Sequence, residues 1–382
     1  MTKKQERIKE TMNNTRKTWL DILRIISSVL VVGVHVSAFS IDELEIGSFD
    51  FLCANAFDCL SILGVPLFVM ISGALELGRE SGEEGSSGDI GRSLKRAGHM
   101  MLLYFFWLMC YNLLNCLQEG YGFSLTSIRK NVILETLLGR GIYHLWFLPM
   151  LAGLALAAPF LKSFARDTKL SRYFLILYSF FTILLPTILK FQYRFPYYSV
   201  VEGLYSRIPY VVFTGYTGYF VLGHLLANTE KEGDSGSSYV NYAGIPVLIL
   251  LFLLFFNIGH LVCFYDSIRW GQLSTILNDP FSLTDFVSAG CIFLLVKRLD
   301  GGNKPAAAES GKSRSLLTAL SAATLGVYIL HPAVLILASH LGLNTLFAPQ
   351  LISVPLGIAV VYLISLGLTL ILKKVPGIRG LL

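Results

Sequence analysis

The sequence predicts an all-α, polytopic integral membrane protein of about ten transmembrane helices, with both termini on the cytoplasmic side. Three observations carry this expectation. Of the 382 residues, 54% are hydrophobic and only 15% are charged, where a soluble domain carries about a quarter charged residues. Apolar stretches of roughly 20 residues recur, each long enough to cross a hydrocarbon core of about 30 Å as a helix. The alternating segments of a closed barrel do not occur, so the backbone must satisfy its hydrogen bonds within helices.

Residues 1–17 form a polar, basic tail, and the apolar stretch behind it is full length with no small-residue cleavage site, as in an anchor and not a removed signal peptide. The predicted spans are 18–39, 53–78, 97–117, 143–163, 172–190, 208–228, 239–260, 281–299, 316–340 and 349–372. With the N-terminus inside, the inner segments hold 23 of the 31 Lys and Arg residues, the asymmetry expected when basic residues collect on the cytoplasmic face. Residues 18–373 are read as one membrane domain and 374–382 as a cytoplasmic C-terminal tail. The Gly/Ser-rich, charged stretches 78–91 and 300–315 read as flexible inner connectors. In the outer loop 118–142, Ser127 precedes an amphipathic run with Ile128, Val132, Leu134, Leu137 and Leu138, and Gly139 is a stop signal; a short helix at the outer interface is expected.

The six cysteines show no CxxC pair and no metal-ligand spacing with histidine, so they read as packing residues and no metal is expected. A disulfide among Cys53, Cys116 and Cys263 stays open, because the topology puts all three toward the oxidising side. Ionisable residues within a span are costly and therefore functional candidates. The first span holds Arg24 and His35. Eleven steps of 100° make about three turns, so both lie on one stripe about 16 Å apart along the axis, Arg24 toward the inner end and His35 toward the outer. This suits a tunnel that holds an anion from one side and presents a base to the other. Equally open at this point, Arg24 snorkels to the inner headgroups with Asp21 as partner, and His35 bonds a neighbouring helix.

The segment from Trp19 through Arg24 to His35 resembles the opening helix of the membrane acyltransferase-3 family, whose hallmark is Arg or Lys, ten residues, then His. Val65-Pro-Leu-Phe-Val-Met-Ile-Ser-Gly73 resembles the family's second helix, and Arg92-Ser-Leu-Lys95-Arg96 its basic entry to the third. His144-Leu-Trp146-Phe-Leu-Pro149 opens the fourth span as in many members, Gly218-Tyr-Phe-Val-Leu-Gly223 fits the sixth, and Gly326-Val-Tyr-Ile-Leu-His331-Pro332 fits the ninth. These motifs, in order, cover nearly the whole chain.

The resemblance implies transfer of an acyl group, often acetyl, from cytoplasmic acyl-CoA to a hydroxyl of a carbohydrate or lipid-linked glycan at the outer face of a bacterial cytoplasmic membrane. His35 would be the general base on the acceptor hydroxyl, and Arg24 would hold the donor or stabilise the developing oxyanion. Arg92, Lys95 and Arg96 could attract CoA phosphates, although positive-inside residues stand at such places regardless. His144, Trp146 and His331 could line the acceptor end, with an interfacial anchor and a backbone cap beside Pro332 as the alternatives. Asp58 could orient His35, as carboxylates do for catalytic imidazoles. A transporter of a glycan or small amphiphile, with His35 and His331 as proton relays, is the rival reading; paired Gly/Pro-broken spans in two halves, which would favour it, are not found. The net charge of +6 is spread over inner loops, so no nucleic-acid partner is expected.

Overall fold

The computed structural model describes residues 17–79, 85–121, 124–191, 197–207, 215–228, 238–301 and 311–382. Among these the chain forms helices and turns only. The main helices are α1 (Thr18–Ser37), α2 (Phe49–Ser61), α3 (Gly64–Glu76), α4 (Gly85–Gln118), α5 (Phe147–Ala165), α6 (Thr168–Tyr178, continued as a π segment Ser179–Leu184 and Leu185–Leu189), α7 (Tyr198–Tyr205), α8 (Thr217–Asn228), α9 (Ser238–Trp270), α10 (Leu283–Leu299), α11 (Gly311–His340) and α12 (Gln350–Leu372). Eight helical stretches among the described residues are long and apolar enough to cross a membrane. The protein is a multi-pass membrane protein.

Two predicted spans come out short. The sixth is described only from residue 215 and holds the 12-residue α8, with 208–214 outside the described residues. The eighth holds α10, 17 residues long, because Ser282 accepts from the Asp285 amide at 3.1 Å and so caps the helix late. The second span is two helices. Pro66 has no amide hydrogen to continue the ladder backward, and the chain turns at Ile62 and Leu63 before α3 begins. The connectors read as flexible are partly helical: α4 already includes Gly85–Gly91 and α11 includes Gly311–Ser315, while 80–84 and 302–310 lie outside the described residues.

The chain divides into two compact units, Met1–Leu75 with Thr168–Gly380 and Leu382, and Glu76–Asp167 with Leu381. In the larger unit α1 packs against α2, α11 and α12. Val32 and Val36 of α1 meet Val327 and Val334 of α11 and Val354 and Tyr362 of α12 in one buried cluster. Cross-helix hydrogen bonds gather at two levels. One contains the Trp19 amide on Asp300 and Ser321 on Asp21; the other contains Ser37 on Asp58, the Thr345 amide on Ser40 and the Gln350 amide on Asp50. Helices α3 and α8 touch backbone to backbone. A Cβ built at Gly73 would lie 1.8 Å from the Phe220 carbonyl oxygen, and one at Gly223 would lie 2.0 Å from that of Met70.

In the smaller unit α4 packs along α5. The amphipathic run after α4 is helical over Leu125–Leu137 with a π segment at Ile128–Leu134. Its cap is Ser124, which accepts from the Ser127 amide, three residues earlier than the sequence suggests. Gly139 ends it in the left-handed region, φ +68°. Leu134, Leu137 and Leu138 of the expected apolar face are exposed, along with Leu125 and Ile133, whereas Val132 is buried. All six cysteines are free thiols.

Candidate active site

Helix α1 supplies both hallmark residues, and each meets a partner from far along the chain. At one end the buried Asp21 carboxylate accepts from Arg24 NH1 at 2.9 Å and from Ser321 Oγ of α11 at 2.6 Å. The i,i+3 spacing places the pair on one face, and together they bring no net charge into the helix bundle. Toward the other end the half-buried His35 ring stacks on His331 of α11, with centroids 5.1 Å apart and planes 20° from parallel. His331 is fully buried. Its Nδ1 lies 3.1 Å from the Val327 carbonyl oxygen; a carbonyl only accepts, so Nδ1 is the donor and Nε2 of the neutral ring carries the lone pair. Tyr328 flanks it at 6.2 Å. The arrangement is a pair of stacked imidazoles, one half-buried and one fully buried with its tautomer fixed by the helix.

Asp58, expected as a group that could orient His35, has both carboxylate oxygens engaged elsewhere. Oδ1 accepts from Ser37 Oγ at 2.8 Å and Oδ2 from Asn278 Nδ2. Ser37 follows His35 by two residues, about 200° around the helix, so this contact lies on the opposite flank of α1 from the imidazole.

In the smaller unit the basic entry to α4 is largely neutralised. Arg92 pairs with Asp89 and Arg96 with Glu76, while Lys162 of α5 donates to both Asp89 oxygens at 3.1 Å. Glu76, Asp89 and Lys162, with Arg79 and Ser93, line a small polar recess. Lys95 is exposed. His144 and Trp146 diverge, because the 3-10 turn Tyr143–Trp146 sends alternate side chains to different sides. His144 is 2% exposed, edge-on to Tyr111 at 5.4 Å, whereas Trp146 is 45% exposed. His144 is therefore an interior residue of this unit and not an interfacial anchor.

A family model described as an acyltransferase domain matches residues 17–373, nearly the whole chain. The chain belongs to the acyltransferase-3 family. Comparison with curated proteins and with solved structures gave no match. The acyltransferase uses its sequence motifs structurally as well as chemically. The second-helix and sixth-span motifs end in Gly73 and Gly223, the two residues that allow α3 and α8 to cross in contact. Sequence reasoning named Asp21 as a partner for Arg24, but it missed Ser321, Ser37 and Asn278. These are small polar residues whose spacing carries no signal, since their partners lie on other elements.

Proposed function

We propose that this membrane acyltransferase moves an acetyl group from acyl-CoA to a hydroxyl of a cell-envelope or secreted glycan in a bacterial cytoplasmic membrane. The His35–His331 pair carries this reading. His35 takes the proton of the acceptor hydroxyl, the oxygen bonds to the acyl carbon, the thioester C–S bond breaks, and the CoA sulfur leaves with the proton that His35 returns. His331 positions the His35 ring and supports the charge that it gains. Arg24 holds polar atoms of the donor, with Asp21 and Ser321 fixing its orientation.

The test is transfer of labelled acetyl from acetyl-CoA to glycan or lipid-linked fractions in membranes containing the wild-type chain. Label in those fractions supports the reading. Its absence across several acyl donors and acceptors removes it in favour of a carrier.

Two further results are expected on the donor side. Arg24→Lys keeps the charge but loses the planar fork of donors, so acetyl-CoA should bind about tenfold more weakly; unchanged affinity in a titration would take Arg24 out of the donor site. Of Arg92, Lys95 and Arg96, Lys95 has no carboxylate partner among the described residues and is exposed, so it meets CoA phosphates most readily. Lys95→Glu should therefore raise the KM for acetyl-CoA roughly two- to fivefold, an effect that fades in high salt. A larger rise in Arg92→Gln than in Lys95→Glu would reverse that assignment.

A further inference from the structure

Between α9 and α10 the chain does not simply cross the surface. Gly271, at φ +65°, ends α9 and turns the chain back along it. The Ser274 hydroxyl donates to Asp266 and its amide to Ser267 Oγ, and the Leu277 amide then reaches Cys263 Sγ at 3.4 Å. Moving forward from 274 to 277, the segment contacts successively earlier turns of α9, so it re-enters the unit by about two turns. Residues 271–282 are non-helical throughout. Non-helical backbone at such a level is tolerated where it is buried in protein or lines a polar cavity.

At the deepest point is Asn278. Its amide nitrogen donates to Asp58, which also holds Ser37, two residues beyond His35. Its side-chain oxygen is buried and has no hydrogen-bond partner among the described residues. An unsatisfied buried acceptor is costly, so a ligand that brings a donor would be held there. The next residues are firmly held: Asp279 pairs with Lys190 at 2.6 Å, its amide donates to the buried Asp285, and Tyr219 donates to the Pro280 carbonyl. Beside them the half-exposed rings of Tyr216 and Phe281 meet at 5.0 Å. A fixed polar loop, a buried acceptor that no described residue reaches and a partly exposed pair of rings suit a polyhydroxylated molecule, which supplies hydroxyl donors and an apolar ring face together.

We propose that the re-entrant segment Gly271–Ser282 is the acceptor-binding element, with the Asn278 side-chain oxygen accepting from a sugar hydroxyl other than the one acylated. This rests on the glycan-acceptor reading above. Asn278 is thus a specificity residue for the acceptor, tied through Asp58 and Ser37 to the helix that carries His35, on the flank away from the imidazole.

The test is binding of the methyl glycosides of glucose, galactose, mannose and N-acetylglucosamine to the purified full chain, titrated by saturation-transfer NMR without any acyl donor. The wild type should bind at least one of them. Asn278→Leu, similar in size but with no acceptor, should weaken that binding tenfold or more. The double exchange Asp58→Asn with Asn278→Asp keeps the bridge between the two positions and an oxygen at 278, so it should bind within about threefold of wild type. Binding of none of the four by the wild type, or equal binding by Asn278→Leu, overturns the proposal. A lowered melting temperature of Asn278→Leu with unchanged affinity also overturns it, since the side chain would then serve only the fold. Acetyl transfer measured on the same preparations separates the two ideas: glycoside binding that depends on Asn278, without transfer to any glycan, keeps the binding element and removes the reaction.

Discussion

His35→Ala is expected to slow acetyl transfer from acetyl-CoA to glycan by about 100-fold or more in membranes matched for protein level, the usual loss when a general base is removed. The geometry makes this residue, and not His331, the one to touch the acceptor. His35 is half-buried, whereas His331 is fully buried with its Nδ1 hydrogen committed to Val327. His331→Gln should therefore cost less, about tenfold, because it removes support for the base and leaves the base itself. Label incorporation equal to wild type in His35→Ala would exclude that imidazole from the mechanism. A deeper loss in His331→Gln than in His35→Ala would exchange their roles.

The second large effect is structural. Gly73→Val or Gly223→Val should abolish the stably folded protein in detergent extracts. At Gly73 even the first added carbon falls 1.8 Å from a backbone oxygen, and at Gly223 2.0 Å. Backbone cannot step aside as the end of a side chain can, so α3 and α8 would have to separate. Overpacking of ordinary cores already costs about 1–3 kcal/mol, and tight helix approach through small residues is a main source of adhesion between helices in lipid. Gly290→Ala in α10 is the control, since nothing lies within 4 Å of its added carbon. It should be neutral or slightly stabilising. Size-exclusion profiles and melting curves of the three variants check the expectation, and a monodisperse Gly73→Val protein melting as wild type would refute it.

The all-helical membrane fold was legible because long apolar runs admit few other solutions, and the Arg24–His35 stripe because helical periodicity is local. What lay between elements was not. Nothing near His35 announces that His331 will stack on it, and nothing near Asp58 names Asn278, because these meetings are settled by how α1, α2, α11 and the 271–282 segment pack. The start of the eighth span was misjudged for a related reason. Hydropathy registers how apolar a window is, whereas the start of α10 is fixed by the Ser282 cap. Arg92 and Arg96 looked like an open basic entrance because their charge is evident in sequence, while the carboxylates that answer it are Asp89, one turn earlier on α4, and Glu76 at the end of α3.

The bond between Asp21 and Ser321 links residues 300 positions apart, and this sets a timetable for biogenesis. At about 5–20 residues per second, a ribosome releases α11 roughly 15–60 seconds after α1. During that interval the first helix must wait in lipid or in an insertion chaperone with its acid, its base and its imidazole uncovered by the helices that finally enclose them. A chain truncated before α11 would never leave that state, and membrane proteases that survey exposed polar groups should remove it. For this acyltransferase the Asp21–Ser321 contact can therefore form only late in synthesis, once α11 has been made.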